Sequence, residues 1–188
     1  MKIILGSSSQ FRKQMLHEMG YDFDVVSPNI NEKLIRNSDP EKLVLSIALA
    51  KAKAIVDKIK EPAIIITADQ VISFEGTIRE KPKDEQEARN YLSTYGIKPS
   101  KTINGIVVSN TLNNKQATAT DIVEVYLKPL TKEVIDTLIE QKIIFQCAGA
   151  LRLEDPLMKP FIEEIRGEPD SLMGLPKKLT ETLIQEVV

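Results

Sequence analysis

A basic side chain follows a run of serines near the start of the chain. Arg12 lies in the predicted first turn of a helix, three positions after the last serine of Ser7-Ser8-Ser9. An exposed cation in this turn opposes the helix dipole and costs about 0.3–1 kcal/mol. A bound anion would reverse that sign, because free N–H groups, serine hydroxyls and the guanidinium would all face it. The pattern alone favours the simpler interpretation, a serine N-cap followed by solvated basic residues.

A lysine occupies the middle of an apolar helix face. With about 3.6 residues per turn, Lys51 falls among Val44, Ile47, Ala48, Ala52 and Ile55. Its side chain either extends past this face to reach water or is buried, and a buried ammonium needs a phosphate or a carboxylate as partner. The sequence leaves both interpretations open.

Acidic residues complete a set that could bind phosphate and metal. Asp69 comes just past the carboxyl end of the predicted strand Ala63-Ile64-Ile65-Ile66, where open α/β sheets bind ligands. An aspartate that caps a turn is the alternative. Glu32 and Lys81, both in predicted loops, are unremarkable by themselves. Together these residues suit a magnesium-assisted reaction on a phosphate ester, in which bases bind oxygens and acids hold metal and activate water.

The elements that must position these groups alternate between strands and helices. Helical spacing, prolines and capping residues predict helices that end at Gly20, run from 40 to 60, run from Lys83 to Tyr95, start at the cap Thr131 and start at Pro176. Apolar runs predict strands at 2–5 and 63–66, and a hairpin of 103–110 with 118–127 around Asn113-Asn114. Hairpin and crossover connections in one chain indicate an α/β fold with a mixed sheet.

Composition excludes several classes of protein. With 188 residues, 42% of them hydrophobic and 28% charged, the chain is typical of one globular domain. A net charge of −2 argues against binding nucleic acid through its phosphates. One histidine and one cysteine, His17 and Cys147, argue against a His/Cys metal site and a Ser-His-Asp triad. The lone cysteine and the absence of a signal-peptide pattern or membrane-length apolar run predict a cytoplasmic protein.

Several stretches of the chain share an order and spacing with one known family. These are the run from Leu5 to Lys13, Ile30-Asn31-Glu32, Ile47-Ala48-Leu49-Ala50-Lys51-Ala52, Ala68-Asp69-Gln70-Val71, Gly76 to Lys81-Pro82, Ala148-Gly149, Gly167 and Gly174-Leu175-Pro176. On these motifs the sequence resembles the Maf proteins, which are nucleoside triphosphate pyrophosphatases. The middle strand departs from the family pattern, with Asn104-Gly105 where Thr-Gly is usual.

The resemblance implies a fold and a reaction. It implies an elongated α/β fold shared with house-cleaning inosine triphosphatases, formed by a single domain over residues 1–188 with a cleft between two lobes. The implied reaction cleaves the bond between the α and β phosphates and yields a nucleoside monophosphate and pyrophosphate. The implied partner is the nucleoside triphosphate itself, with neither nucleic acid nor membrane, and family members are often homodimers.

The resemblance also gives roles to the residues singled out above. Those that would bind the phosphate chain are Ser7, Ser9, Arg12, Lys51 and Lys81. Glu32 and Asp69 would hold a divalent cation, Mg²⁺ or Mn²⁺, and Asp69 would activate the attacking water.

Three positions indicate a branch of the family. Phe11, Gln70 and Glu154 are similar to the branch that hydrolyses 7-methyl-GTP, whereas branches acting on dTTP and UTP have other residues there. A carboxylate at Glu154 could accept from guanine N1–H and N2–H, and an aromatic ring at Phe11 would favour the cationic methylated base. Two alternatives stay open: the same reaction on dTTP or UTP, and a non-catalytic nucleotide-binding regulator of cell division.

Overall fold

The computed structural model describes all 188 residues, which form seven strands and five α-helices. In chain order the elements are β1 Lys2–Leu5, α1 Gln10–Glu18, β2 Asp24–Val25, α2 Pro40–Val56, β3 Ala63–Phe74, β4 Thr77–Arg79, α3 Glu85–Thr94, β5 Ser100–Asn110, β6 Gln116–Leu127, α4 Lys132–Glu140, β7 Ile162–Arg166 and α5 Lys177–Val187. Short 3₁₀ segments include Glu32–Leu34 and Pro169–Met173. The predicted α/β class is confirmed, and no helix is both long and apolar enough to cross a membrane.

The strands form one mixed sheet in the order β2-β1-β3-β5-β6-β7, with β4 paired to β3. Strand β1 runs parallel to both β2 and β3, whereas β4 and β7 are antiparallel to their partners. The last parallel pair joins Leu5 to Ile66, and β3 continues beyond it to pair with β4. Asp69 therefore lies inside β3, and the prediction that it follows the end of a short strand is wrong. Strand β5 is the other neighbour of β3 in the sheet, and β4 pairs with the last residues of β3, Ile72 to Phe74, so the strand continues past its apolar run.

The chain divides into two compact units. The first consists of Met1–Gln70, Ile103–Ile122 and Glu168–Val188, and the second of Val71–Thr102 and Val123–Gly167. In the first unit, one apolar cluster joins both ends of the chain, because its buried members include Leu5, Leu16, Ile66, Ile106, Leu175 and Ile184.

In the second unit, a buried arginine is surrounded by aromatic rings. The guanidinium carbon of Arg79 lies 4.0 Å from the ring centre of Phe74, and 4.9 Å from those of Tyr91 and Tyr95. Tyr95 in turn donates a hydrogen bond of 2.7 Å to the carbonyl of Gly149. These contacts tie β3, β4 and α3 to the segment around Gly149.

The helix boundaries follow local capping. Ser9, Asp39 and Thr131 each accept a backbone hydrogen bond as the N-caps of α1, α2 and α4, as such side chains do at helix starts. Helix α2 begins at Pro40 as predicted but ends at Val56, before residue 60. It ends there because the N–H of Lys58 bonds to the carbonyl of Ile55, and this tighter turn stops the helix.

Helix α2 packs unusually close to strand β5 at a glycine. A Cβ added to Gly105 would lie 2.6 Å from the carbonyl carbon of Val44 and 2.7 Å from the amide nitrogen of Leu45. Both neighbours are main-chain atoms, so no side chain can move aside to relieve the clash. Only glycine at this position lets α2, which carries Lys51, lie at its observed distance from the sheet.

We expect Gly105→Ala to lower the free energy of unfolding by about 3 kcal/mol, the upper end of the usual range for overpacking, because the helix must shift as a whole. Denaturant unfolding measures the change. The matched control is Gly20→Ala, whose φ is +83° but whose added Cβ has no atom within 4 Å. Only left-handed strain of about 1 kcal/mol opposes that control. Equal losses in the two variants would contradict the steric explanation.

Candidate functional site

The amino-terminal turn of α1 forms the first part of the site. Ser7 is buried, and its hydroxyl oxygen accepts hydrogen bonds from the backbone N–H of Ser9 at 3.2 Å and from Nη1 of Arg12 at 3.4 Å. The hydroxyl of Ser9 caps the helix by accepting from the backbone N–H of Arg12. The predicted serine cap is confirmed, and the cap and the basic residue belong to one hydrogen-bonded turn.

The side chain of Arg12 is held by the main chain of two distant segments. Its Nε donates to the carbonyl of Gly174 at 2.9 Å, and its Nη1 donates to the carbonyl of Ala68 at 2.8 Å. A Cβ added to Gly174 would lie 3.1 Å from the Arg12 Nε, so glycine is what lets the chain approach the guanidinium. Arg12 is therefore not the solvated residue that the simpler interpretation of the pattern proposed.

Burial and charge act in opposite directions on Arg12. Loss of hydration lowers the pKa of its guanidinium, while the carboxylates of Asp69 and Glu32 raise it. An arginine stays protonated in proteins, so the site keeps this positive charge. The Nη2 group makes no hydrogen bond within the protein, which leaves its two N–H donors available to an anion.

Lys51 is buried and paired with two carboxylates. Its side chain is 8% exposed, and its Nζ lies 2.8 Å from Oδ1 of Asp69 and 3.0 Å from Oε1 of Glu32. The carbonyl of Ala68 lies 3.4 Å from the same nitrogen. The interpretation that a buried ammonium requires a partner is confirmed, and the interpretation that the side chain extends to water is wrong.

Asp69 is the buried acid of this group. Burial raises the pKa of its carboxyl, and the positive charges of Lys51 and Arg12 lower it in part. Arg12 and Lys51 reach this point from α1 and α2, and both contact the carbonyl of Ala68. The structure thus brings together Ser7, Arg12, Lys51, Asp69 and Glu32.

Gln70, the next residue along β3, points its amide into a buried network. Its Nε2 donates to Oδ1 of Asn104 at 3.0 Å and to the carbonyls of Ser171 and Leu172 at 3.3 and 3.2 Å. Sequence reasoning noted Asn104 only as a departure from a motif and missed this contact. The available signal was an amide within the run Ile103-Asn104-Gly105-Ile106-Val107.

The remaining predicted residues, Phe11, Lys81 and Glu154, are exposed. Phe11 is 44% exposed on α1. In the second unit, Lys81 is exposed just after β4, where the N–H of Gly149 bonds to the neighbouring carbonyl of Glu80 at 3.0 Å. Glu154 is exposed in the same unit, and its carboxylate accepts from Nε of Arg152 at 3.2 Å.

The two carboxylates that pair with Lys51 are suitable ligands for a hard divalent cation. Glu32 and Asp69 supply oxygen donors around one point, and Mg²⁺ commonly takes one or two carboxylates and completes its shell with phosphate oxygens and water. No group of three or more His, Cys, Asp or Glu residues is placed to hold a metal ion. Such a cation would therefore depend on the substrate for further ligands.

We expect Lys51→Met to lower the free energy of unfolding by about 3–5 kcal/mol, because it leaves the buried Asp69 without its closest cation. The double variant Lys51→Met/Asp69→Asn removes that uncompensated charge and is expected to recover most of the loss. Denaturant unfolding measures both.

The control is Lys98→Met, which breaks the exposed pair of Lys98 with Glu75. An exposed pair contributes about 0–1 kcal/mol. A loss in Lys51→Met no larger than in this control would show that the buried pair does not stabilise the site.

Comparison with known proteins assigns the family. A family model described as Maf-like protein matches residues 2–187. A 7-methyl-GTP pyrophosphatase of Dictyostelium discoideum is 44% identical, covering 98% of this chain and 96% of its own length. A dTTP/UTP pyrophosphatase of Clostridium botulinum is 34% identical over the full length of both chains.

Solved structures also match, at low sequence identity. The Ham1 protein of Staphylococcus aureus matches with a TM-score of 0.44 and 12% identity, covering 68% of this chain and 72% of its own. A nucleoside-triphosphatase of Mycobacterium abscessus, a dITP/XTP pyrophosphatase, matches with a TM-score of 0.38 and 12% identity, covering 68% of this chain and 73% of its own. The sequence matches cover the stretches that hold Arg12, Lys51 and Asp69, and on them the chain belongs to the Maf family.

Proposed function

We propose that this protein is a nucleoside triphosphate pyrophosphatase that hydrolyses 7-methyl-GTP to the monophosphate and pyrophosphate. The observation that carries the proposal is the convergence of Arg12 and Lys51 on the Ala68–Asp69 segment of β3. The buried Lys51 and the half-buried Arg12, beside a buried acid, form a site for a substrate that is anionic and is attacked by water. The 44% identity to a 7-methyl-GTP pyrophosphatase supports the choice of substrate.

The cations and hydroxyls bind the phosphate chain. Arg12 has its Nε and Nη1 fixed by carbonyls and presents Nη2 to a phosphate oxygen for a charge-assisted hydrogen bond. Ser7 and Ser9 add hydroxyls at the start of α1. Lys51 offers an ammonium in the same cluster, and Lys81 is a further ligand of the phosphate chain in this proposal.

Asp69 acts as the general base. Its carboxylate takes a proton from a water molecule as the water oxygen attacks the α-phosphorus. The bond from that phosphorus to the bridging oxygen breaks, and pyrophosphate leaves with the electron pair. The ammonium of Lys51, 2.8 Å from Oδ1, favours the ionised carboxylate and so opposes the rise in its pKa that burial causes.

A divalent cation, Mg²⁺ or Mn²⁺, would be held by Glu32 and Asp69. When bound, such an ion neutralises negative charge on the phosphate oxygens during the reaction. Lys51 already contacts both carboxylates, so it can balance their charge when no substrate is present.

Three residues recognise the base in this proposal. The Nε2 of Gln70 is used within the protein, but its Oε1 accepts no internal hydrogen bond and suits the N–H donors of guanine. Glu154 offers a second acceptor and a negative charge, and the exposed ring of Phe11 offers an aromatic face. A 7-methylated guanine is cationic, so both a carboxylate and an aromatic ring favour it.

The alternative substrates remain dTTP and UTP, which the Clostridium botulinum relative is named for. The other alternative is a non-catalytic regulator that binds nucleotides. We further place the activity in the cytoplasm, in keeping with the lone Cys147, and propose a homodimer on the family resemblance alone.

We expect purified protein with magnesium to release pyrophosphate from 7-methyl-GTP in preference to GTP, UTP and dTTP. Asp69→Asn removes the proposed base and is expected to lower the rate by about 10²–10⁴-fold. A coupled assay of pyrophosphate release measures both.

Each outcome of this panel separates the candidate functions. Release mainly from UTP or dTTP would keep the reaction and replace the substrate. Release from no nucleotide, with nucleotide binding retained, would favour the regulator. Binding of the nucleotide by Asp69→Asn shows that any loss of its rate is a loss of chemistry.

We expect Glu154→Gln to reduce the preference for 7-methyl-GTP over GTP by about tenfold, the equivalent of one charge-assisted contact. The ratio of kcat/KM for the two substrates measures it. Glu164→Gln is the matched control, because Glu164 is an exposed acid of the same unit that pairs with Arg166 two positions away, as Glu154 does with Arg152. An unchanged ratio in Glu154→Gln would remove Glu154 from base recognition.

A further inference from the structure

The carbonyl that holds Arg12 belongs to a segment fixed by side-chain amides. The Pro169–Met173 segment ends at Gly174, where φ is +82° and the N–H bonds back to the carbonyl of Ser171 at 3.0 Å. The Gly174 carbonyl then accepts from Nε of Arg12. The position of Ser171 therefore determines where Arg12 finds its acceptor.

Asn104 fixes the carbonyl of Ser171. It is fully buried on β5, and its Nδ2 donates to that carbonyl at 2.9 Å and to Oδ2 of Asp121 at 3.1 Å. Its Oδ1 accepts from Nε2 of Gln70 at 3.0 Å. Both N–H donors and the carbonyl oxygen of Asn104 therefore make hydrogen bonds. The Ser171 carbonyl and the Asp121 carboxylate accept from it, and the Gln70 amide donates to it. A buried amide satisfied in this way holds its partners in a single geometry.

We propose that Asn104 is a positioning residue for Arg12, acting through the main chain from Ser171 to Gly174. Without the Asn104 amide, the segment loses one of the donors that fix Ser171, and the Gly174 carbonyl no longer holds Nε in place. The Nη2 group is then misdirected from the phosphate, although Arg12 itself is unchanged. This inference rests on the proposed function only in naming phosphate as the ligand of Arg12.

A second asparagine on the same strand provides a matched control. Asn110 is also buried on β5, and its Nδ2 donates to a main-chain carbonyl at 2.9 Å, that of Val187 in α5. Loss of either amide leaves one buried carbonyl short of a donor. Asn104→Ala and Asn110→Ala therefore both break a bond from a side-chain amide to a main-chain carbonyl. They differ in the segment that loses this bond, which contains Ser171 in the first variant and is α5 in the second.

The test combines two readouts on Asn104→Ala, Asn110→Ala, Arg12→Ala and the double variant Asn104→Ala/Arg12→Ala. One readout is KM for the nucleoside triphosphate, and the other is calorimetric binding of inorganic tripolyphosphate, which needs no turnover. We expect Asn104→Ala to weaken both by about tenfold, the equivalent of one charge-assisted hydrogen bond, and Asn110→Ala to leave both unchanged. In the Arg12→Ala background, loss of Asn104 is expected to add nothing.

Equal effects of Asn104→Ala and Asn110→Ala, or effects of Asn104→Ala and Arg12→Ala that multiply, would overturn the positioning role. If Asn104→Ala fails to fold, Asp121→Ala serves in its place, because Asp121 is only half-buried and its loss frees the same amide. If Asp121→Ala weakens both readouts by less than Asn104→Ala is expected to, and adds nothing in the Arg12→Ala background, the result supports the positioning role. If it weakens neither readout, the positioning role is overturned. If the wild type binds tripolyphosphate but releases no pyrophosphate, only the proposed enzymatic function is refuted. If it neither binds tripolyphosphate nor releases pyrophosphate, the enzymatic function and the positioning role of Asn104 are both refuted.

Discussion

The pairing of a buried and a half-buried cation with one short stretch of strand β3 underlies the rest of the structure. A guanidinium and an ammonium both donate to the carbonyl of Ala68, and the carboxylate of Asp69 accepts from the ammonium. None of these groups is stable in such a place by itself, since an unpaired buried charge is strongly unfavourable. The local fold therefore has to bring α1, α2 and β3 together. Glycines and helix caps hold these elements in place.

Two glycines allow these elements to approach closely, because glycine has no side chain. Gly105 lets the main chain of α2 approach β5, which sets the depth of Lys51, and Gly174 lets a carbonyl approach the plane of Arg12. The helix caps act at the other end of the same elements by fixing where α1 and α2 begin. Packing and hydrogen bonding are thus arranged around the charges.

Much of this could be predicted from local sequence. Serine and proline caps predict the helix starts, and the apolar face of α2 predicts that Lys51 needs a partner if it is buried. The predictions that are wrong depend on distant parts of the chain. The apolar run at 63–66 predicts that a strand ends before Asp69, because the run gives no information about β5 and β4, the neighbours of β3 in the sheet. The partners of Arg12 and Asn104 at residues 171–174 are set by tertiary packing, which local spacing does not encode.

The bond from Arg12 to Gly174 joins positions 162 residues apart, and this has a consequence for how the chain acquires its native state. Contacts of such long sequence separation close large loops and form slowly. The apolar cluster of the first unit has the same character, since it packs Leu5 and Leu16 with Leu183 and Ile184. During synthesis on the ribosome, the amino-terminal third of the chain therefore cannot complete its packing until α5 has emerged. The anion site and the core of this unit are completed in the same late step of folding.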